Sequence, residues 1–208
     1  MGKSSNLRQL VLGKGIKHLY HFSPAGNLEG ILADGLRSRA DLDAINASYR
    51  FTDLGRWDER PHAVCVSIEG INEAMFERKK TELKASWVIF QIDASVLWTH
   101  ECRFCWTNGA ATEIVSHRGY LGGEWGFNTM FEDRPVARTD LRSYREVYER
   151  KSFQPTLGDA EVQVMQPIAF ELVTAIFVKD LALGTWVDAM AIQIGDEKEV
   201  VVAPNMFG

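Results

Sequence analysis

The chain lacks the fingerprints of the common nucleotide-binding and membrane proteins. It contains neither a Gly-x-Gly-x-x-Gly turn nor a phosphate-binding P-loop, so any nucleotide would have to be held by another architecture. No Gly-x-Ser-x-Gly elbow surrounds Ser67, which argues against an α/β-hydrolase. No apolar run approaches the ~20 residues of a membrane span. The first residues carry too short an apolar stretch for a secretory signal, and Asn6 stands where a myristoylation site wants Ser or Thr. Three cysteines make a disulfide framework improbable, and a reducing cytoplasm is the expected location. Repeats, low-complexity tracts and Pro/Ser-rich linkers are absent. There is no excess of positive charge either: the net charge is −5, so nucleic-acid binding would need a local basic patch.

What remains is ordinary globular material. The 208 residues are 46% hydrophobic and 25% charged, which predicts one domain, residues 1–208, around one core. Leu19–Phe22 reads as a short strand. Ser23-Pro24 then reads as a helix start, Leu28, Ile31, Leu32 and Leu36 recur at helical spacing, and Gly35 is the stop signal. Residues 40–62 are polar and irregular. Ala63–Ile68 and Trp87–Ile92 read as strands, with a helix over Asn72–Lys84 between them. Glu161–Met165 and Val173–Val178 are further strands, and Ala189–Ile194 with Val200–Ala203 suggest a hairpin around Gly195-Asp196. The fold class is therefore α+β, a mixed or mostly antiparallel sheet flanked by helices.

Four features could carry chemistry. Glu161 opens a strand, and if Val162 and Val164 face the core, it projects from the other side; by pattern alone it is an ordinary solvated carboxylate. His21, between Tyr20 and Phe22, is by itself an ordinary packed histidine. Cys102 and Cys105 have metal-like spacing but no second pair, and their apolar neighbours suggest buried thiols. Residues 119–160 form a long irregular segment with Arg134, Arg138, Arg142, Arg145, Arg150 and Lys151. These are either partners in helical ion pairs (Arg142 with Glu146, Arg145 with Glu149) or a phosphate-holding surface. Trp125, Phe127, Phe131 and Tyr144 interleave with them as bases' stacking partners would.

An ordered set of these segments resembles the DarT family of DNA ADP-ribosyltransferase toxins. The set runs from Tyr20-His21-Phe22-Ser23 through Asn27–Leu32, Gly35-Leu36, Arg56, Val66-Ser67-Ile68, Asn72 and Met75-Phe76. It continues through Phe104–Ala110 and Met130–Asp133 to Ala160-Glu161-Val162-Gln163-Val164. The resemblance implies an ADP-ribosyltransferase-like split sheet with NAD+ as substrate in its cleft and no metal. Glu161 would be the catalytic carboxylate, assisted by Arg56. Tyr20, His21, Ser23, Asn27, Leu28 and Arg50 would hold NAD+, with Arg50 as the alternative to Arg56. Phe22, Tyr20 or Phe76 would stack on nicotinamide. Residues 119–160 would recognise the target, and Asn108, His117, Trp125, Arg134, Arg138, Arg142 and Arg145 would contact single-stranded nucleic acid, DNA rather than RNA. A macrodomain antitoxin would be the protein partner, within a toxin–antitoxin or anti-phage system. Gly109 departs from the family's alanine, and the Val64–Ile68 segment departs from the thymidine-modifying branch, which leaves the target base open. The alternatives are RNA or a protein side chain as acceptor, or an inactive binding module.

Overall fold

A computed structural model of the chain describes residues 3–52, 55, 57–193, 195 and 198–208. The elements, in order, are α1 (Lys3–Lys14), β1 (His18–Pro24), α2 (Leu28–Asp34), α3 (Arg39–Ala44), β2 (Val64–Ile68) and α4 (Glu73–Glu82). There follow β3 (Trp87–Asp93), α5 (Val96–Thr99), β4 (Cys102–Cys105), α6 (Thr112–Val115), α7 (Gly123–Thr129), β5 (Pro135–Ala137), β6 (Asp140–Ser143) and α8 (Tyr144–Val147). β7 (Glu161–Val164), β8 (Val173–Val178), α9 (Leu181–Gln193) and β9 (Glu199–Val202) complete the chain.

Seven strands form one mixed sheet in the order β4-β7-β2-β1-β3-β8-β9, antiparallel except for the parallel pair β8–β9. Strand β3 explains why a sheet of this kind is stable. Its Val88, Phe90 and Ile92 enter the main core, while Trp87 and Ile89 join a second cluster with Phe76 and Phe207 on the opposite face. Alternation on a strand covered on both faces produces this split of an almost continuous apolar run. Helix α1 adds Leu7 and Val11 to the main core at the i, i+4 spacing of one helical face.

The sheet is continuous in name but split in fact. β1 pairs with β3 at seven positions. With β2 it pairs at only two, Leu19 with Ile68 and Tyr20 with Ser67. Beyond those pairs the strands part, and His21–Pro24 on one lip faces Ala63–Val66 on the other across an open cleft.

Several expectations change. Ser23 and Pro24 do not start a helix: they end β1, paired with Val88 and Trp87. A proline is tolerated there because it sits at the strand's end, where a missing N–H is harmless. The proposed hairpin at the C-terminal end is wrong in its first half, since residues 189–193 close helix α9, whose Gly184, Val187 and Ala191 are buried at helical spacing. The strand β9 stands, but its partner is β8. Ile194 and Asp196 of that turn lie outside the described residues. The α1 helix and strand β4 went unread. Gly35 does stop α2, at φ +74° with its N–H bonded to the Ile31 carbonyl, and a Cβ there would collide with the Ile168 carbonyl oxygen. Gly35→Ala should therefore lower unfolding stability by roughly 1–3 kcal/mol, the usual cost of forcing an L-residue into such backbone, measurable by urea denaturation.

Candidate active site in the split of the sheet

The cleft has a volume of about 650 Å³, within the roughly 300–1,000 Å³ typical of ligand sites. It receives side chains from both half-sheets. β1 and the turn after it supply His21, Ser23 and Asn27; the loop before β2 supplies Arg50 and Asp58; β7 supplies Glu161 at its first residue.

His21 bridges the split. Its Nδ1 lies 2.8 Å from the Cys65 carbonyl of β2, where the ladder bonds between β1 and β2 have ceased. A carbonyl only accepts, so Nδ1 carries the proton and Nε2 is left as an acceptor. Burial holds the ring's pKa below its ordinary 6.5, and the bond to Cys65 opposes this only in part. The imidazole is thus neutral at pH 7.

Asn27 acts as a latch. Its Nδ2 donates to the Arg50 carbonyl (2.8 Å) and its Oδ1 accepts the Arg50 N–H (2.7 Å). Its other amide hydrogen goes to Ser23 Oγ at 3.0 Å. The side chain thereby mimics a strand partner and ties residues 47–52 along the cleft. The Arg50 guanidinium lies against Gly26.

Glu161 is half-buried at the cleft wall and does not stand alone. Gln163, fully buried two residues further along β7, donates from Nε2 to Glu161 Oε1 (3.1 Å) and to Asp58 Oδ2 (2.9 Å). Arg103 on β4 donates to the far end of the same amide, Oε1, at 2.7 Å. The loop after β4 closes over this group: a Cβ on Gly109 would lie 2.5 Å from Glu161 Oε1 and closer still to the Gln163 amide nitrogen. Asp58, Cys65 and Glu161 bring ligand atoms within 4.8 Å of one another, the one such grouping among the described residues. A cation there would compete with the Gln163 bonds to both carboxylates.

The sequence-predicted residues divide. Tyr20, His21, Ser23, Asn27, Arg50, Asn108 and Glu161 all border the cleft. Tyr20 spends its ring on Phe177, at 6.4 Å, and its hydroxyl on Gln91. Leu28 is fully buried in the core and lines no part of the cleft, so it has no side-chain contact to offer a ligand. Phe76 is likewise buried away from the cleft, packed on Phe22 and Trp87. Arg56 lies outside the described residues. Gln163, Asp58 and Arg103 carried no functional reading in the sequence; the one signal was that Gln163 shares the strand face of Glu161.

The 119–160 segment is half structural. Phe127 and Phe131 are core residues, Phe127 edge-on to Phe104 and tilted against Phe131, not exposed platforms. Arg142 pairs with Asp140 rather than Glu146. Arg145 donates to the carbonyls of Lys151 and Gln154 and to Thr156 Oγ1, so its fork braces the loop rather than pairing with Glu149. Arg134 is half-buried, while Arg138 is exposed at the turn between β5 and β6. His117 stacks on Trp125 (5.8 Å, 15°) and meets Trp106 edge-on (5.3 Å), and Trp125 stays 53% exposed. Cys102 and Cys105 are buried, three residues apart on a strand and so on opposite faces, and burial pushes both thiols up to about 12. They are neither nucleophiles nor a chelating pair.

The neutral His21 has a measurable signature. The unfolded chain takes up a proton near pH 6.5, whereas the native ring resists it, so acidification through and below that pH favours unfolding. The midpoint of urea unfolding should fall as pH drops from 7 to 5, and His21→Gln should flatten that fall.

The comparisons bear on both fold and family. No curated protein sequence matches the chain. Among solved structures, Thermosipho africanus DarTG in complex with ADP-ribose aligns at TM-score 0.61 and 15% identity, covering 92% of this chain and 51% of that one. Thermus sp. 2.9 DarT in complex with ADP-ribosylated ssDNA aligns at TM-score 0.60 and 14% identity, covering 93% and 97%. The same Thermus protein in complex with NAD+ gives 0.56 and 13%, covering 92% and 97%. The chain thus spans about half of the Thermosipho protein and nearly all of the Thermus one, and shares their fold. The family model that matches residues 20–208 describes the ssDNA thymidine ADP-ribosyltransferases, and this chain belongs to that family, DarT.

Proposed function

We propose that the chain, acting as one domain, cleaves NAD+ in the split of its sheet and transfers the ADP-ribose to a thymidine of single-stranded DNA. The observation that carries this reading is the convergence of His21 and Glu161, from opposite half-sheets, on one cleft. Breaking the bond between nicotinamide and the ribose C1′ leaves its electron pair on nicotinamide and positive charge on the ribose. A fixed carboxylate beside that ribose stabilises the charge as it develops. Glu161 is that carboxylate. Thymine in a strand has one ring N–H, at N3, and Glu161 accepts its proton as the nitrogen attacks C1′. His21 Nε2 accepts a ribose hydroxyl, Ser23 lines the same wall, and Arg50, aligned by Asn27, or Arg56 meets the phosphates.

The acceptor strand crosses the loop after β4 and the 119–160 segment. Asn108 borders both cleft and surface, and the His117–Trp125 stack offers a face for an unpaired base. Arg138 is placed to meet a phosphate, with Arg134 behind it. Arg142 and Arg145, read from sequence as phosphate contacts, are already engaged within the chain. Among the described residues no helix is long and apolar enough to cross a membrane, which agrees with a DNA-acting enzyme of the cytoplasm. Such an enzyme is harmful to its host, and a macrodomain protein that removes the mark is the partner this reading calls for.

Three experiments follow. Mass spectrometry of nucleosides after reaction with NAD+ and mixed single-stranded DNA and RNA should find ADP-ribosylated thymidine. Glu161→Gln should lower the yield by about a hundred- to a thousandfold, on the scale of losing a preorganised electrostatic contact; a modified ribonucleoside or lysate protein instead would refute the proposed acceptor. Arg138→Ala should weaken oligonucleotide binding and reduce its salt dependence by about one phosphate's worth. Arg145→Ala should instead loosen residues 144–156, seen as faster proteolysis there.

A further inference from the structure

We infer that Gln163 is a positioning residue for Glu161, carrying the pull of Arg103 through its amide to the carboxylate and seating Asp58 beside it. The inference rests on the proposed role of Glu161. Gln163 lies two residues from Glu161 on β7 and so shares its face, and it is paired in register with Arg103 on β4. Its amide orientation follows from its partners. The guanidinium can only donate, which places the carbonyl oxygen toward Arg103; the carboxylates accept, which places the NH2 group toward Asp58 and Glu161. The flipped amide would set an acceptor against two acceptors.

The arrangement does three things. Arg103, whose Nη2 is itself anchored on the Ile114 carbonyl at 3.3 Å, draws density from the amide oxygen and so strengthens both N–H donors at the other end. Each of the two hydrogens serves a separate carboxylate, which lets Asp58 and Glu161 stand close without the full cost of like charges. The bond also fixes Glu161 before substrate arrives, and preorganisation is what makes a carboxylate effective against a charge that appears only in the transition state. Gly109 completes the cradle, because any side chain there would displace either Glu161 or Gln163.

The test compares wild type with Gln163→Met, Gln163→Glu and the double variant Gln163→Met/Arg103→Met. Turnover is measured with NAD+ and a single-stranded thymidine oligonucleotide, and binding by calorimetric titration of a carbocyclic NAD+ analogue. Gln163→Met should lower kcat by about tenfold or more, with the analogue's Kd within about threefold of wild type and a stoichiometry near one. Gln163→Glu keeps the length and the Arg103 contact but has no N–H for Glu161, and should lose kcat similarly. The double variant should be no slower than Gln163→Met alone, since both act through one amide. Wild-type kcat in either single variant overturns the inference. So does a fall in stoichiometry that matches the fall in turnover in both, because that is a folding defect. A wild-type chain with no turnover would overturn the reading of Glu161 itself, and this inference with it.

Discussion

The structure turns on where two neighbouring strands stop pairing. β1 and β2 share two register pairs and then diverge, while each keeps its other neighbour. Edge backbone exposed inside a protein must find partners or water. Here the His21 ring reaches the Cys65 carbonyl, and the Asn27 amide pairs with the backbone of Arg50. The residues that hold the cleft open are thus also its polar lining. A continuous sheet would leave no room for a ligand, and a fully separated one would leave His21 and Glu161 without a fixed relation.

The two halves contribute different chemistry. The β1 side offers neutral groups: an imidazole held uncharged, a hydroxyl and an amide. The β7 side offers anionic charge, two carboxylates managed by one glutamine and by Arg103 behind it. On the proposed reading, this division sets negative potential beside the sugar on which positive charge develops. The same economy runs through the 119–160 segment. Arg145 braces the loop and Arg142 pairs with Asp140, while Arg138 stands exposed and the His117–Trp125 stack keeps a face open to solvent.

Much of this was legible in the sequence where local pattern and tertiary role agree. The strand over residues 63–68, the helix that follows Asn72 and the stop at Gly35 all follow from local chemistry, and the structure has each of them, with Asn72 as the helix cap. The order of motifs from Tyr20 to Val164 singled out Glu161, whose own pattern was that of any strand-end acid, and the structure puts it on the cleft wall. Misreadings came where a short window hid a longer element, as at residues 189–193, or where tertiary packing overrode composition, as at Phe127 and Phe131. Gln163 was out of reach for a different reason. Its partners are 60 and 105 residues away in sequence, and nothing local records that a buried amide will be satisfied by Arg103 and Asp58.

The central claim is that NAD+ lies in the split with its reactive ribose beside Glu161. A crystal structure of the chain with a carbocyclic NAD+ analogue measures this most directly. The expected result places the nicotinamide ribose within hydrogen-bond reach of Glu161 and a ribose hydroxyl on His21 Nε2. An analogue bound elsewhere, or bound in the cleft with Glu161 turned away toward solvent, would contradict it.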